Sequence, residues 1–198
     1  MYPGKRILDW IVALPASIIT LALAPFIGLA IIIESGWPIF VRLDRVSGGR
    51  IIRVWKFRTM VRGAHAMKSQ LAALNERQDG PLFKIKNDPR LTHVGKFLRK
   101  LRLDEFPQSW NVLAGDLSLV GPRPHEPGEI DKYPAEFKRI AEAKSGLTGL
   151  SQVMGASKLP FREELRYDLE YIDHPSFRAD IKVLWRTLVI FFSDPTGV

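Results

Sequence analysis

The 198-residue chain contains no cysteine, so disulfides and thiolate metal sites are excluded. Its four histidines, His65, His93, His125 and His174, stand apart, with no His-Glu-x-x-His or similar ligand spacing. There is no internal repeat and no low-complexity segment. Acidic residues are in deficit, 21 against 29 Lys and Arg, for a net charge of +8. A chain this basic expects acidic partners: nucleic acid, anionic lipid or a phosphorylated substrate. The length suits one domain with a sizeable core.

Charge is wholly missing from Trp10 to Ile33, WIVALPASIITLALAPFIGLAIII. As a continuous helix this run would rise roughly 36 Å, enough to cross a bilayer core. It is too long for a cleaved signal peptide, and no clear cleavage site follows it. Lys5 and Arg6 precede it; Arg42, Arg45, Arg50 and Arg53 follow it. Cytoplasmic flanks attract Lys and Arg, so two basic flanks suit a segment that enters and leaves by one face. Pro15 and Pro25 can each kink a helix. The residues alone leave a re-entrant helix bent near Ala24-Pro25 and an ordinary single span equally open.

The stretch with the densest chemistry is RKLRLDEFPQSWNVLAGDLSLVGPRP, Arg99 to Pro124. Asp104 and Glu105 precede Pro107, where an amphipathic helix is expected to begin, since proline is tolerated in a first turn. Carboxylates at that end lie in the positive field of the helix dipole, which favours their ionised forms. An ionised Asp can attack phosphorus. An ionised Glu suits Mg²⁺, which takes one or two carboxylates plus phosphate oxygens. Arg99, Arg102 and Arg123 offer guanidinium groups that bind phosphate in bidentate fashion. Arg123 is held between Pro122 and Pro124. An Asp-Glu pair at a helix start is more often a cap than a catalyst, and nearby arginines are usually solvated.

The run LRLDEFPQSWNVLAGDLSLVGPRP resembles the signature of the bacterial sugar transferases, the monotopic phosphoglycosyl transferases. Asp-Glu, Pro-Gln, Asn-Val-Leu, Gly-Asp, Ser-Leu-Val and Gly-Pro-Arg-Pro occur in the family's order. Lys56-Phe57-Arg58-Thr59-Met60 is similar to a second family motif, Asp88-Pro89-Arg90 to a third, and Asp168 with Tyr171 to its Asp-x-x-Tyr. Several positions depart from the pattern: the usual Arg-x-Gly ends at Ser47, a polar Gln common upstream is absent, and Lys144 and Ser145 stand where an arginine and a proline are usual. The resemblance implies a re-entrant helix over 1–36 and a catalytic domain over 37–198 forming one unit with it. It also implies a minimal catalytic unit, without the extra membrane helices of larger relatives.

The implied reaction moves a sugar-1-phosphate from a UDP-sugar to polyprenyl phosphate, releasing UMP, at the cytoplasmic face of the bacterial inner membrane. In that scheme Asp104 is the nucleophile and Glu105 binds Mg²⁺. Arg99 and Arg123 hold phosphate, with Lys56, Arg58 and Asp168 as further candidates. Partners are the UDP-sugar, the polyprenyl phosphate and anionic lipid; no nucleic acid is expected, and oligomeric state is left open.

The remaining pattern predicts an α+β fold, mostly α. Strands are expected around Ser47-Gly48-Gly49, and a short helix over Ala64 to Leu74. A polar loop over Asn75 to Pro81 reads as a mobile lid or a solvated connector. Leu91, Val94, Phe97, Leu98 and Leu101 recur at helical spacing beside Lys96, Arg99, Lys100 and Arg102, an interfacial helix in outline. Glu126 to Ala143 reads as mostly helical, and Pro160 to Asp173 as an amphipathic helix. Ile181, Leu184, Trp185, Leu188, Phe191 and Phe192 make an apolar face for an interfacial helix or for the core. Two readings compete with an enzyme: a lipid-binding scaffold, which leaves Asp104-Glu105 unexplained, and a nucleic-acid binder, for which no motif is present.

Overall fold

The computed structural model describes residues 2–155 and 158–193. Met1 and the last five residues assigned to the catalytic domain lie outside that range. The fold is α+β and mostly helical. Helix α1 spans Lys5–Ser35, followed by an antiparallel hairpin, β1 (Phe40–Ser47) and β2 (Arg50–Phe57). Ser47 pairs with Arg50 across Gly48 and Gly49, both at positive φ, 61° and 72°. Two left-handed residues are what a tight two-residue hairpin demands, so the Gly-Gly pair sets the register. Helix α2 (His93–Lys100) and α3 (Gln108–Ala114) follow. Strand β3 (Ser118–Val120) comes next, then α4 (Pro127–Ile130), β4 (Gly146–Thr148) and α5 (Leu150–Met154). Helices α6 (Phe161–Asp173) and α7 (Phe177–Ser193) complete the order. Strands β3 and β4 pair in parallel, a contact that no local periodicity announces.

Helix α1 is helical throughout, with Pro15 and Pro25 inside it. The helical structure continues through Ala24-Pro25, where the bend is expected. A proline forfeits one backbone bond and can be absorbed as a kink, whereas an open break would expose several polar groups where lipid offers no partner. One side of α1 is apolar and exposed, with Ile7, Ile11, Ile18, Leu21, Phe26 and Ile33 all outward. The other side carries its few polar residues; Thr20 bonds back to Ala16 O within the helix, and the others are paired into the fold. Near the start, Lys5 Nζ lies 2.6 Å from Asp180 Oδ2 and 3.4 Å from Asp9 Oδ1. Asp9 accepts from Ser118 Oγ at 2.8 Å and from the Leu119 N–H at 2.9 Å. Arg6 donates to the carbonyls of Val112 and Leu113, capping the C-terminus of α3. Midway, Ser17 donates to Ser109 at 3.0 Å. At the far end, the Glu34 carboxylate accepts the first N–H groups of α2, those of His93 at 2.6 Å and Val94 at 2.8 Å. Both ends of α1 therefore bond to the same folded body.

Three cores lie behind this face. The first joins Ala13 of α1 to Ile52 and Val54 of the hairpin, Val112, and Leu117, Leu119 and Val120 around β3. A second packs Phe161 and Leu165 of α6 on Tyr133, Phe137 and Ile140. The third is Ile31, Phe57 and Leu98. Asn111, 2% exposed, stitches α3 to β2: its Oδ1 takes the Trp55 N–H at 3.0 Å and its Nδ2 donates to Arg53 O at 2.8 Å. It supplies the hairpin edge with the bonds a third strand would have made.

Other expectations need correction. Ala64 to Leu74 forms two short 3-10 turns, Ala66–Lys68 and Ala72–Leu74, in place of a helix. Glu126 to Ala143 holds only the single-turn α4 and a 3-10 stretch, Ala135–Glu142, because Pro134 removes a donor between them. The Asn75 to Pro81 loop is pinned. Asn75 bonds the backbone at Arg77, Leu82 and Lys84, and buried Arg77 meets Glu164 of α6 at 2.5 Å. The helix expected to end at Asp173 does so, with Phe161, Leu165, Leu169 and Ile172 against the second core. On α7, Ile181, Trp185, Leu188 and Phe192 are exposed, while Val183 and Asp180 face inward.

Lys5 is buried between two buried carboxylates, so removing it strands both. Lys5→Met is expected to cost about 3–5 kcal/mol of stability. A thermal unfolding midpoint in detergent unchanged from wild type would contradict this account of the α1 anchor.

Candidate active site

Asp104 and Glu105 sit in a 3-10 turn, Leu103–Glu105, one residue after Arg102, which takes a left-handed conformation at φ 54°. Helix α3 starts only at Gln108. The turn points the two carboxyl groups into different surroundings. Asp104 is 6% exposed, while the Glu105 side chain keeps 40% of its surface. Lys56, at the end of β2, reaches both: its Nζ is 2.6 Å from Glu105 Oε1 and 4.0 Å from Asp104 Oδ2.

Their ionisation differs accordingly. Burial opposes the Glu105 charge, but Lys56, with Arg123 and Arg99 further off, outweighs it and holds the carboxyl well below its usual range. Burial raises Asp104, and the neighbouring Glu105 charge adds to this; Lys56 and Arg99 offset only part. The expectation that a helix dipole favours both ionised forms is corrected here. The fields that decide are burial for one residue and a lysine for the other.

Three arginines surround the pair. Arg99 is fixed through its Nε, which donates to Thr59 Oγ1 at 3.2 Å, and its two Nη atoms make no hydrogen bond among the described residues. Arg123 is exposed and its guanidinium makes no hydrogen bond or ion pair among the described residues. Arg45 was missed as a site candidate in the sequence. It lies in the electrostatic reach of Glu105 and Arg123 and 3.6 Å from Glu126. Only the pairing of β1 with β2 brings it there, across 59 residues of chain.

Two other candidates sit elsewhere. Arg58 is 5% exposed. Its Nη atoms donate to Trp37 O at 3.0 Å, to Ser35 Oγ at 2.7 Å and to Gly36 O. It fastens the C-terminus of α1 and takes no part in the ion pairs of Asp104 and Glu105. Asp168, at 1% exposure, accepts from Ser151 Oγ at 2.7 Å, and the nearby backbone N–H of Arg123 favours its charged form. It lies under the Gly-Pro-Arg-Pro loop, too enclosed to meet a substrate.

That loop is braced by a backbone crossing. A Cβ on Gly121 would fall 2.6 Å from Lys144 O, and one on Gly146 would fall 2.1 Å from Gly121 N. A Cβ on Gly149 would meet Gly121 O at 2.3 Å. The chains touch main chain to main chain, and Arg123 projects from the junction. Two of the departures from the family pattern also meet here. Ser145 N–H donates to Ser47 Oγ at 3.1 Å, and Ser145 Oγ donates to Val46 O at 2.9 Å. A proline at 145 has no N–H to give and a glycine at 47 no oxygen to receive it, so each substitution satisfies the other.

Among the described residues no group of three or more His, Asp or Glu side chains could hold a metal. Magnesium asks for less: one or two carboxylates, the other positions going to phosphate oxygens and water. Glu105, ionised and partly exposed with Oε2 unbonded among the described residues, fits that role beside Asp104.

Burial lifts Asp168 to about 7 despite the Ser151 bond. Its folded value exceeds its unfolded one, so its contribution to stability is full below the ordinary aspartate value and is lost as pH rises through about 7. Wild type should lose stability between pH 5 and pH 8 that Asp168→Asn retains. Parallel melting curves of the two proteins that fail to diverge over this range would contradict the assignment.

The family model described as bacterial sugar transferase matches residues 2–194. The chain is 40% identical over 192 residues to "Galactosyl transferase CpsE" of Streptococcus agalactiae, covering 94% of this chain and 42% of that protein. It is 34% identical over 186 residues to "Undecaprenyl-phosphate galactose phosphotransferase" of Salmonella typhimurium, covering 92% of this chain and 39% of that one. To "Exopolysaccharide production protein ExoY" of Sinorhizobium fredii it is 33% identical over 194 residues, with 93% of this chain and 84% of the relative covered. The chain thus spans about two fifths of the length of the first two relatives and most of the third. With a family match along nearly its whole length and the Asp104-Glu105 turn ringed by Lys56, Arg99 and Arg123, the chain belongs to the bacterial sugar transferase family.

Proposed function

We propose that the protein transfers a sugar-1-phosphate from a UDP-sugar to a polyprenyl phosphate such as undecaprenyl phosphate, releasing UMP. Relatives named for galactose or glucose transfer to undecaprenyl phosphate, and for exopolysaccharide production, support this reading. The product would begin assembly of a surface glycan, whether capsule, O-antigen or exopolysaccharide. The observation that carries the proposal is the split between two adjacent carboxyl groups: one enclosed, one exposed and ionised, with a lysine between them and two open arginine forks nearby.

In the first step an Asp104 carboxylate oxygen attacks the β-phosphorus of the donor. The bond from that phosphorus to the bridging oxygen breaks, and UMP leaves with the bridging oxygen. The sugar phosphate stays on Asp104 as an acyl phosphate. In the second step a phosphate oxygen of the polyprenyl carrier attacks the same phosphorus and displaces the Asp104 carboxylate, giving polyprenyl-diphosphate-sugar. Burial strips water from Asp104, which strengthens it as a nucleophile once ionised and protects the acyl phosphate from hydrolysis. Arg99 and Arg123 hold the donor phosphates through their free Nη atoms, and Lys56 keeps Glu105 ionised and oriented. Mg²⁺, held by Glu105, would neutralise charge on the diphosphate.

The acceptor is insoluble in water, so the chemistry belongs at a membrane. We place α1 in one leaflet from the cytoplasmic side. The support is that both its ends bond to the catalytic body while its outer face is apolar. The exposed apolar side of α7 lies beside the start of α1, where Tyr2 and Phe177 meet edge to face. Anionic headgroups suit Arg178 and Lys182 at that margin.

Incubation with UDP-galactose, UDP-glucose and UDP-N-acetylglucosamine, with Mg²⁺ and polyprenyl phosphate, should give UMP from at least one donor. Without acceptor, mass spectrometry should find a sugar-phosphate mass on the peptide holding Asp104. Asp104→Asn should abolish both signals, whereas Glu105→Gln should leave a trace that added Mg²⁺ restores. An adduct on another residue, or a fully active Asp104→Asn enzyme, would overturn the mechanism. For topology, cysteines placed at Tyr2 and at Arg50, exposed at the hairpin turn, should both be labelled from the cytoplasmic side. Periplasmic labelling of Tyr2→Cys would mean a full span.

A further inference from the structure

Helix α6 carries two buried polar residues one turn apart, Asp168 and Tyr171. Both reach the same short backbone segment. The Asp168 carboxylate accepts from Ser151 Oγ at 2.7 Å, and the Arg123 N–H lies near enough to favour its ionised form. The Tyr171 hydroxyl lies 3.1 Å from Val120 O and 2.7 Å from Asp180 Oδ1, a three-centre arrangement for its one proton. Val120 and Arg123 are the two ends of the segment Val120-Gly121-Pro122-Arg123. A spacing of i, i+3 on the helix, about 4.5 Å of rise, thus matches i, i+3 on the loop. On the other side β4 fixes the middle. The Gly121 N–H donates to Thr148 O at 2.9 Å, and Pro122 O accepts the Gly146 N–H at 2.8 Å. Asp180 Oδ2 is itself held by Lys5 at 2.6 Å and Tyr2 at 2.7 Å, so the grip continues into the start of α1.

Neither residue touches the space around Glu105. Asp168 is 1% exposed and Tyr171 8%. Arg123, by contrast, carries a guanidinium with no bond among the described residues, so only its backbone fixes where that group points. A charged fork contributes most to a transition state when it need not be ordered on binding.

We propose that Asp168 and Tyr171 are positioning residues for Arg123: they clamp both ends of the segment that presents its guanidinium to the donor phosphates. The proposal rests on the reading above that Arg123 binds phosphate. It assigns the Asp-x-x-Tyr pair to the backbone of the loop and removes Asp168 from the substrate. What Asp168 supplies is an acceptor oxygen, so Asn, which keeps one, should replace it, and Ala should not.

The test is a double-mutant cycle on UMP release from UDP-galactose, with Mg²⁺ and polyprenyl phosphate, using the full chain in detergent. Asp168→Ala should lower kcat about tenfold in the wild-type background and less than about twofold in the Arg123→Lys background, because the two act as a unit. Asp168→Asn should stay within about threefold of wild type. If Asp168→Ala does not fold, Tyr171→Phe enters the same cycle, with the same non-additive outcome expected. Full additivity with Arg123→Lys, or an Asp168→Asn as impaired as Asp168→Ala, would overturn the clamp. An Arg123→Lys enzyme at wild-type rate would instead remove Arg123 from the phosphate site, and the clamp would fall with it.

Discussion

The arrangement depends on a lysine that cannot reach water. Lys5, near the start of an otherwise apolar helix, must find an anion inside the protein, and it finds two, Asp9 and Asp180. Burying such a group without partners is prohibitive, so the helix docks in one register only. Asp9 then meets β3 through Ser118 and the Leu119 N–H, and Asp180 meets Tyr171. From one ion triad the long apolar helix, the small parallel sheet and two C-terminal helices are placed with respect to one another. The apolar face of α1 makes few specific demands. Its polar minority decides the fold.

The same economy governs the carboxyl pair. Neighbours in a 3-10 turn diverge by about 120°, so the two carboxyl groups meet different surroundings. The 3-10 turn after Arg102 keeps both near one lysine yet gives them unequal access to water. The two ionisations separate accordingly: Glu105 is held ionised by Lys56 and keeps part of its surface open, while Asp104 is enclosed and its carboxyl is raised by burial.

Much of this was legible in the sequence. The charge-free run, the Gly-Gly turn, the amphipathic pattern of Pro160 to Asp173 and the long motif around Asp104 each rest on contacts close in sequence, and the structure has them. What escaped was non-local. Pairing of β3 with β4 joins segments of three residues, too short to show a period. Arg45 enters the site only through hairpin register. Arg58 and Asp168 share a motif style with the other candidate residues, yet side-chain type does not reveal whether a group faces solvent or a backbone carbonyl. The helices expected over Ala64 to Leu74 and Glu126 to Ala143 had composition in their favour and lost to Pro134 and to side-chain anchoring. Ser47 and Ser145 read as two unrelated departures, and their mutual bond was invisible until the loops were brought together.

The glycine crossing beneath Arg123 has a bearing on how such an enzyme can diversify. Where Gly121, Gly146 and Gly149 meet, the separation between chains is one main-chain thickness, and no side chain of any kind can be inserted. A side chain at any of these three positions would have to push two main chains apart, so room for variation in bulk and polarity beneath Arg123 lies in the flanking side chains and not at the junction.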